Sequence, residues 1–283
     1  MSESSALEFT GERFTPECVR EMAYEHWHRY AWASAHVQGK RVLDAACGEG
    51  YGSQLLSAGA EHVIGVDLSA EAVKHAKGRY TASNLEFHQA DVTQLPLADD
   101  SVDVVVSFET LEHLEAQDDM FAEFRRVLRP DGFLLVSSPD RRTYSDDTGY
   151  DNPFHVRELY RDEFEALLGR HFPAFRLFGQ KLMFVSALWS LDQGGGAIFH
   201  TDHGGKVEHG AQPALPPLYF IAVAAASEEQ LPVLSAVSLY GDRDESVYEH
   251  YNDEIRKHIR AGHLLAERDA EIAELKARLE QAG

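Results

Sequence analysis

A glycine-rich turn that follows a short apolar run constrains the fold of this chain most. Residues 42–52 read VLDAACGEGYG, with a strand-like start followed by Gly48, Gly50 and Gly52. Glycine lacks a Cβ atom, so these positions let the backbone turn sharply and approach a ligand closely. A helix that begins after the turn offers free N–H groups to that ligand. The turn alone is shared with nicotinamide- and flavin-binding proteins, so its function depends on residues elsewhere.

Short apolar runs alternate with helix-like segments along most of the chain. The runs are residues 41–47, 62–68, 85–91, 102–109 and 132–139, followed by 175–185 and 218–226. Runs of this length that are rich in Val and Ile, with helices between them, predict βαβ units. We therefore predict an α/β fold: a Rossmann-like, seven-stranded, mostly parallel sheet with helices on both faces.

Carboxylates and apolar side chains stand where the first four predicted strands end. In strand order they are Asp44, Asp67, Asp91 with Val92, and Phe108 with Glu109. Ligands of open α/β sheets bind at this edge of the sheet. Asp67 follows Gly48 by 19 residues, where a carboxylate can accept hydrogen bonds from both hydroxyls of a ribose. A carboxylate with an apolar neighbour, as at Asp91, can bracket an adenine ring.

In these segments the chain resembles the class I S-adenosylmethionine-dependent methyltransferases. The matching stretches are VLDAACGEG, VIGVDLS, ADVTQLPL, VDVVVSFETLEHL and LRPDGFLLVSSP. They cover residues 39–139 closely and the rest of the sheet loosely. The last two stretches, with LEH after one strand and LRPDG before the next, are not typical of nicotinamide dehydrogenases. The resemblance implies S-adenosylmethionine as the cofactor and S-adenosylhomocysteine as the product.

The resemblance also implies roles for single residues. The implied cofactor contacts are Asp44, Ala46, Gly48 and Gly50 at the methionine part, Asp67 at the ribose, Leu68, Asp91 and Val92 at the adenine, and Phe108 on the methionine side. At Ala46 the chain departs from the family, which usually has glycine there. Alanine is small enough that we expect cofactor binding to survive.

Residues 1–38 precede this domain and are predicted to form a helical segment that closes over the cofactor. His26 and Tyr30 are four residues apart in EHWHRY, so they share a helix face and can reach the cofactor. Arg13 can pair with a carboxylate, either that of the cofactor's methionine part or that of an acidic substrate.

Methyl transfer from a sulfonium requires an in-line approach and, for an alcohol acceptor, a base near its proton. The predicted bases follow the fourth and fifth strands and are Glu109, His113 and His155. We favour His155, because it lies beyond the active-site edge of the fifth strand and just before a helix. A packing or capping role is the alternative for each histidine.

Three further segments bear on the acceptor. They resemble segments of a subgroup of methyltransferases found with bacterial polysaccharide and glycosyl-transfer machinery. The three segments are TGERF with PE shortly after it, EHWHRY and NPFHVREL. This resemblance implies O-methylation of a sugar hydroxyl. One alternative is a small natural product or lipid precursor as the acceptor. Another is a catalytically weak scaffold that assembles other enzymes through its tail.

Residues 194–217 are rich in Gly and Pro without apolar periodicity, which predicts a long surface loop or lid between the last two strands. The imidazoles and carboxylates of this loop are His200, Asp202, His203, Glu208 and His209. Such side chains can bind a divalent metal, but we favour a polar lid without one.

Residues 39–227 are thus the predicted methyltransferase domain, and residues 245–283 are a predicted helical tail. The apolar residues of the tail at heptad spacing are Leu265, Ile272, Leu275 and Leu279. A lone helix with two such repeats is marginal in water. We expect the tail to join a homo-oligomer or a glycosyl-transfer partner, and packing on its own domain is the alternative.

Charge and cysteine content narrow the classes of partner. The sequence has 47 acidic and 26 basic residues, a formal net charge of -21, which repels nucleic acids and anionic membranes. No stretch approaches the roughly 20 apolar residues that a membrane span needs. Two cysteines cannot form a disulfide framework, so we expect a reducing, cytoplasmic location.

Overall fold

The computed structural model describes residues 14–18, 21–188, 191–192 and 196–282. The chain divides into two compact units, Met1–Leu239 and Tyr240–Gly283. Arg13 lies outside the described residues, so its pairing with a carboxylate stays a prediction. Among the described residues, no helix is both long enough and apolar enough to cross a membrane.

A seven-stranded sheet forms the centre of the first unit. The strands of this unit are β1 (Arg41–Ala45), β2 (His62–Asp67), β3 (Leu85–Gln89), β4 (Val102–Ser107), β5 (Leu128–Pro139), β6 (Ala174–Gln180), β7 (Phe199–His203), β8 (Lys206–Gly210) and β9 (Tyr219–Ala225). The sheet has the order β3-β2-β1-β4-β5-β9-β6, and β9 is antiparallel to both of its neighbours. The other pairs are parallel. This topology confirms the predicted Rossmann-like, mostly parallel sheet.

Helices pack on this sheet as predicted. They are α1 (Glu21–Ser34), α2 (Tyr51–Ser57), α3 (Ala70–Arg79), α4 (Gln117–Val127) and α5 (Arg161–His171). Successive side chains of a strand point to opposite faces. Leu43 of β1 therefore joins the apolar layer of α4 and α5, while Val42 joins that of α1 and α2. Strand β1 pairs in parallel with β2 and with β4, so the carboxyl ends of these three strands lie side by side.

The long surface loop or lid predicted at residues 194–217 contains an antiparallel hairpin, which the sequence analysis does not predict. Strands β7 and β8 pair with Thr201 opposite Glu208. Gly204 and Gly205 form the two-residue turn with φ angles of 62° and 86°. Such turns require positive φ, which glycine adopts without strain. Most side chains of these strands are polar, so the sequence shows no apolar alternation that would predict them. The Gly-Gly pair is the sequence feature that indicates a hairpin turn.

The second unit contains one long helix, α6 (Ser246–Ala282), which confirms the predicted C-terminal helix. Its four heptad residues are all exposed, and they are Leu265, Ile272, Leu275 and Leu279. Ion pairs between residues three apart lie on its surface, such as Arg268 with Glu271 at 2.6 Å. A coiled-coil seam needs an exposed apolar row of this kind, and the pairing itself stays a prediction.

Candidate active site

The turn after β1 combines three residues in left-handed backbone conformations. The φ angles are 59° at Ala46, 56° at Gly48 and 95° at Gly50, and α2 begins directly after Gly50. The turn and the start of α2 bring backbone N–H groups to the sheet edge. An L-residue such as alanine in this conformation costs roughly 1–2 kcal/mol, and such strain is typical of ligand-binding turns.

Asp67, the last residue of β2, is held against this turn. Its Oδ2 accepts a hydrogen bond from Gly48 N at 2.8 Å, and its Oδ1 accepts one from Ser69 N at 2.9 Å. Both oxygens are thereby fixed, and each retains a lone pair for a ribose hydroxyl. Leu68 beside it is 68% exposed, which offers an apolar side chain where the sequence predicts an adenine contact.

Asp91 lies two residues beyond the end of β3 rather than within the strand. Its Oδ1 accepts hydrogen bonds from the backbone N and from Oγ1 of Thr93, at 2.8 and 2.7 Å. Val92, its neighbour, is buried. The turn therefore presents an oriented carboxylate beside an apolar side chain, the combination that the predicted adenine contact requires.

Asp44 is a fully buried carboxylate in β1. Its Oδ1 accepts a hydrogen bond from Tyr30 OH at 2.9 Å, and its Oδ2 accepts one from Ser53 Oγ at 2.5 Å. Burial raises the pKa of Asp44 to about 7, against the opposing effect of these two hydrogen bonds. The Tyr30 ring also packs on Phe108, with 5.1 Å between ring centroids. Helix α1 is thus tied to two residues that are predicted to contact the cofactor.

His26 lies on the same helix, among aromatic rings. It stacks on Phe14 with 4.6 Å between centroids, and its Nδ1 lies 3.4 Å from Tyr51 OH. Burial lowers the pKa of His26 well below its usual range, so the ring is neutral at pH 7. A neutral, stacked ring fits an apolar wall beside the turn better than a charged contact.

Glu109 follows the end of β4 and has a φ of 52°, a strained value for a residue other than glycine. Ser137 Oγ donates a hydrogen bond to Glu109 Oε1 at 2.6 Å, and Glu109 N donates to the same Oγ at 3.0 Å. Arg29 Nη1 lies 4.0 Å from Glu109 Oε1. The carboxylate is therefore fixed at the sheet edge, next to Phe108.

Arg29 is a site residue that the sequence analysis misses. Its side chain is 1% exposed, Nη1 donates to Gln180 Oε1 at 2.8 Å, and the guanidinium lies 5.0 Å from the centroid of the Tyr219 ring. Its Nε and Nη2 are buried without a hydrogen-bond partner among the described residues. Buried donors are rarely unsatisfied, so a buried water molecule or a polar ligand group would pair with these two atoms. One sequence feature could have pointed to Arg29. Glu25 precedes it by four residues, which is the spacing of an ion pair on a helix.

His113 and His155 come together beyond the ends of β4 and β5. Their rings meet edge to face, with 5.1 Å between centroids. His155 Nδ1 lies 2.6 Å from Glu158 Oε1, and its Nε2 lies 3.0 Å from Asn152 Nδ2. His113 Nδ1 lies 3.0 Å from Phe154 O. The structure therefore brings two of the three predicted bases into contact.

Two of the candidate ligands on the β7–β8 hairpin, His200 and His209, lie opposite each other on the paired strands. His200 Nδ1 lies 2.7 Å from His209 Nδ1. Within the part of the chain that the structure describes, three metal-ligating side chains meet at another place, Glu112, His113 and His155.

Comparison with known proteins agrees with this geometry. The family model described as a methyltransferase domain matches residues 43–136. A Mycobacterium tuberculosis protein named as a probable S-adenosylmethionine-dependent methyltransferase is 44% identical over 169 residues, 58% of this chain and 60% of that protein. A fatty-acid O-methyltransferase of Mycolicibacterium smegmatis is 38% identical over 130 residues, 45% of this chain and 44% of that protein. This chain therefore spans less than two thirds of the length of both relatives.

A solved structure shares the fold. The YcgJ protein of Bacillus subtilis superposes with a TM-score of 0.50 at 21% identity, over 70% of this chain and 97% of its own. The sheet order and the glycine turn with Asp67 define a Rossmann-like domain. In domains of this kind, ligands bind at the carboxyl edge of the sheet. Residues 43–136 are thus similar to a methyltransferase domain, and one relative of the chain is named as a probable S-adenosylmethionine-dependent methyltransferase. This similarity implies S-adenosylmethionine as the cofactor and S-adenosylhomocysteine as the product.

The affinity for S-adenosylmethionine is expected to rise with pH relative to that for S-adenosylhomocysteine, whose sulfur is uncharged. Burial raises the pKa of Asp44 to about 7, so this carboxyl is mostly protonated at pH 6 and mostly charged at pH 8. Since the charged form attracts the sulfonium, the ratio of the two association constants is expected to rise about fivefold to tenfold over this range. Calorimetric titration with both ligands measures the ratio. Asp44→Asn is expected to flatten it, and a pH-independent ratio in the parent would contradict this role.

Proposed function

We propose that this chain is an O-methyltransferase that acts on a sugar hydroxyl, in the cytoplasmic synthesis of bacterial surface polysaccharide or glycoconjugate. One observation carries the proposal: Glu109, His113 and His155, beyond β4 and β5, are polar side chains held by fixed hydrogen-bond partners. A sugar needs such donors and acceptors, whereas an alkyl chain needs an apolar wall. The resemblance of TGERF, EHWHRY and NPFHVREL to the polysaccharide-associated subgroup supports the same acceptor.

The bound cofactor supplies an electrophilic methyl group, and the protein has to align the acceptor oxygen and receive its proton. We assign the proton to Glu109, whose carboxylate is fixed by Ser137 at the sheet edge. His155, the base favoured by sequence, has neighbours at both ring nitrogens, Glu158 and Asn152. His155 therefore serves better to hold the acceptor side of the site in place.

Glu109→Gln is expected to lower kcat for a sugar acceptor by about 100-fold, because the amide cannot take the proton. The Kd for S-adenosylhomocysteine is expected to stay within about twofold. Transfer of a labelled methyl group to a panel of saccharides, lipids and fatty acids measures activity and acceptor class together. Glu86→Gln, which alters a carboxylate paired with His62 on β2, is the matched control without effect. Label in lipid or fatty acid alone would contradict the sugar acceptor.

A fatty acid or related lipid is the second candidate acceptor. Four relatives have names that refer to lipids. They include the fatty-acid O-methyltransferase and a phthiotriol/phenolphthiotriol dimycocerosates methyltransferase of Mycobacterium ulcerans, which is 34% identical over 127 residues. The unsatisfied Nε and Nη2 of buried Arg29 can pair with a carboxylate. A carboxylate acceptor is ionised at pH 7 and needs no base. Glu109→Gln would therefore leave methylation of a fatty acid nearly unchanged, which separates a fatty-acid acceptor from a sugar.

We also propose that α6 joins this chain to a second copy or to a glycosyl-transfer partner. Ile272→Asp places a charge in the apolar row and is expected to shift an oligomer to a monomer in light scattering. Ala273→Asp, one residue outside the row, is the control that should keep the oligomer. Binding of S-adenosylhomocysteine is expected to be equal in both variants, because the cofactor residues lie in the first unit. A monomeric parent would exclude the second copy.

A further inference from the structure

We propose that Glu112, His113 and His155 form a binding site for a divalent transition-metal ion. One ligand atom of each side chain lies within 4.8 Å of those of the other two. His113 Nε2 is 3.9 Å from Glu112 Oε1, and the Glu112 side chain is 1% exposed. A cation between these groups would offset the cost of burying the carboxylate. Two imidazoles with one carboxylate are the protein ligands of many zinc and non-haem iron sites.

Backbone hydrogen bonds hold the two ligand-bearing segments together. Glu112 O accepts hydrogen bonds from Val156 N at 2.8 Å and from Arg157 N at 3.0 Å. These bonds tie the residues after β4 to the segment before α5, which carries His155. The three side chains are therefore within reach of one ion without a change of fold, and such preorganisation lowers the entropic cost of binding.

Outer hydrogen bonds orient both imidazoles for a metal. His113 Nδ1 donates to Phe154 O at 3.0 Å, and His155 Nδ1 donates to Glu158 Oε1 at 2.6 Å, because these oxygens only accept. In the neutral form of each ring, Nε2 therefore keeps its lone pair. Metal-binding histidines typically have such a bond at the other nitrogen. Asn152 Nδ2 donates to His155 Nε2 at 3.0 Å, and an ion would take the place of this amide.

The ligand chemistry selects the kind of ion. Imidazole nitrogens with one carboxylate suit Zn²⁺, Mn²⁺, Fe²⁺ or Co²⁺, whereas Mg²⁺ and Ca²⁺ favour oxygen ligands. Three protein ligands leave coordination positions open. If the chain is the proposed O-methyltransferase, a metal ion held by these residues would act as a Lewis acid and lower the pKa of an acceptor hydroxyl bound to it, with Glu109 as the proton acceptor. Metal binding itself is independent of that function.

Titration of the chelator-treated full chain with Co²⁺, followed by its visible ligand-field absorption, tests the site. One Co²⁺ per chain is expected to give this absorption, and Zn²⁺ is expected to abolish it by competition. Glu112→Gln and the double variant His113→Asn/His155→Asn are expected to weaken binding by about 100-fold or more. Glu158→Gln removes the negative charge from the residue that bonds His155 Nδ1 and Ser145 Oγ, and it is expected to weaken binding about tenfold.

The β7–β8 hairpin supplies the matched control. His200→Asn/His209→Asn removes a histidine pair of another element, and the ligand-field absorption and affinity are expected to stay unchanged. Binding of S-adenosylhomocysteine shows that each variant is folded, and Glu112→Gln preserves side-chain volume should the double variant not fold. The proposal is overturned by a parent that binds neither Co²⁺ nor Zn²⁺, or by full binding in folded Glu112→Gln. Loss of binding in the hairpin variant also overturns it. No acceptor is present, so these outcomes are separate from failure of sugar methylation.

Discussion

Asp67→Ala is expected to weaken the binding of S-adenosylhomocysteine by about 100- to 1,000-fold. The carboxylate can accept both ribose hydroxyls, and hydrogen bonds to a charged group contribute about 1.5–3 kcal/mol each. Alanine also removes the acceptor that holds Gly48 N at 2.8 Å, so the glycine turn loses part of its preorganisation. Calorimetric titration of the purified chain gives the change as a ratio of Kd values.

Two further substitutions show whether the effect belongs to this carboxylate. Asp67→Asn keeps the shape and one acceptor oxygen, and about a tenfold loss is expected. Asp99→Ala removes an exposed carboxylate that pairs with Arg126, and no change is expected. Binding by Asp67→Ala within about threefold of the parent would contradict the ribose role. Failure of the parent itself to bind would favour the scaffold alternative.

The edge that carries the proposed cofactor residues is predictable from sequence, because strand ends have local signals. An apolar run followed by a carboxylate or a glycine marks each end, as at Asp44 and Asp67. Parallel pairing then brings the ends of neighbouring strands to one edge, whatever the connections between them contain. The strands of the sheet and helix α6 are predictable because the spacing of apolar residues can be recognised within a short stretch of sequence.

The acceptor side depends on contacts between distant residues, which no local pattern contains. Arg29 donates a hydrogen bond to Gln180, 151 positions away. His113 meets His155 because the segment before α5 is bonded to the carbonyl of Glu112. Such polar networks follow from the topology, so they become visible only when the packing of the elements is known.

Arg29→Met is expected to lower the free energy of unfolding by about 3–5 kcal/mol, the usual cost of removing one member of a buried ionic network. Methionine keeps much of the apolar volume, so most of the loss is electrostatic. Glu109 Oε1 loses a cation that lies 4.0 Å away, and Gln180 Oε1 loses its donor. Burial raises the pKa of Glu25, and the charge of Arg29 opposes that rise. Removal of the guanidinium therefore leaves the buried carboxyl of Glu25 and the partly buried carboxylate of Glu109 without its compensation.

The pH dependence of this loss identifies its origin. Without Arg29 the pKa of Glu25 is expected to rise further, because burial and the charge of Glu109 both raise it. Stability from a raised carboxyl pKa is present at low pH and lost as the pH rises, so the deficit is expected to be larger at pH 8 than at pH 5. Arg176→Met, which breaks an exposed pair with Glu228, is expected to cost less than about 1 kcal/mol at either pH. Urea unfolding measures both variants, and a pH-independent deficit at Arg29 would show that its contribution is packing rather than charge.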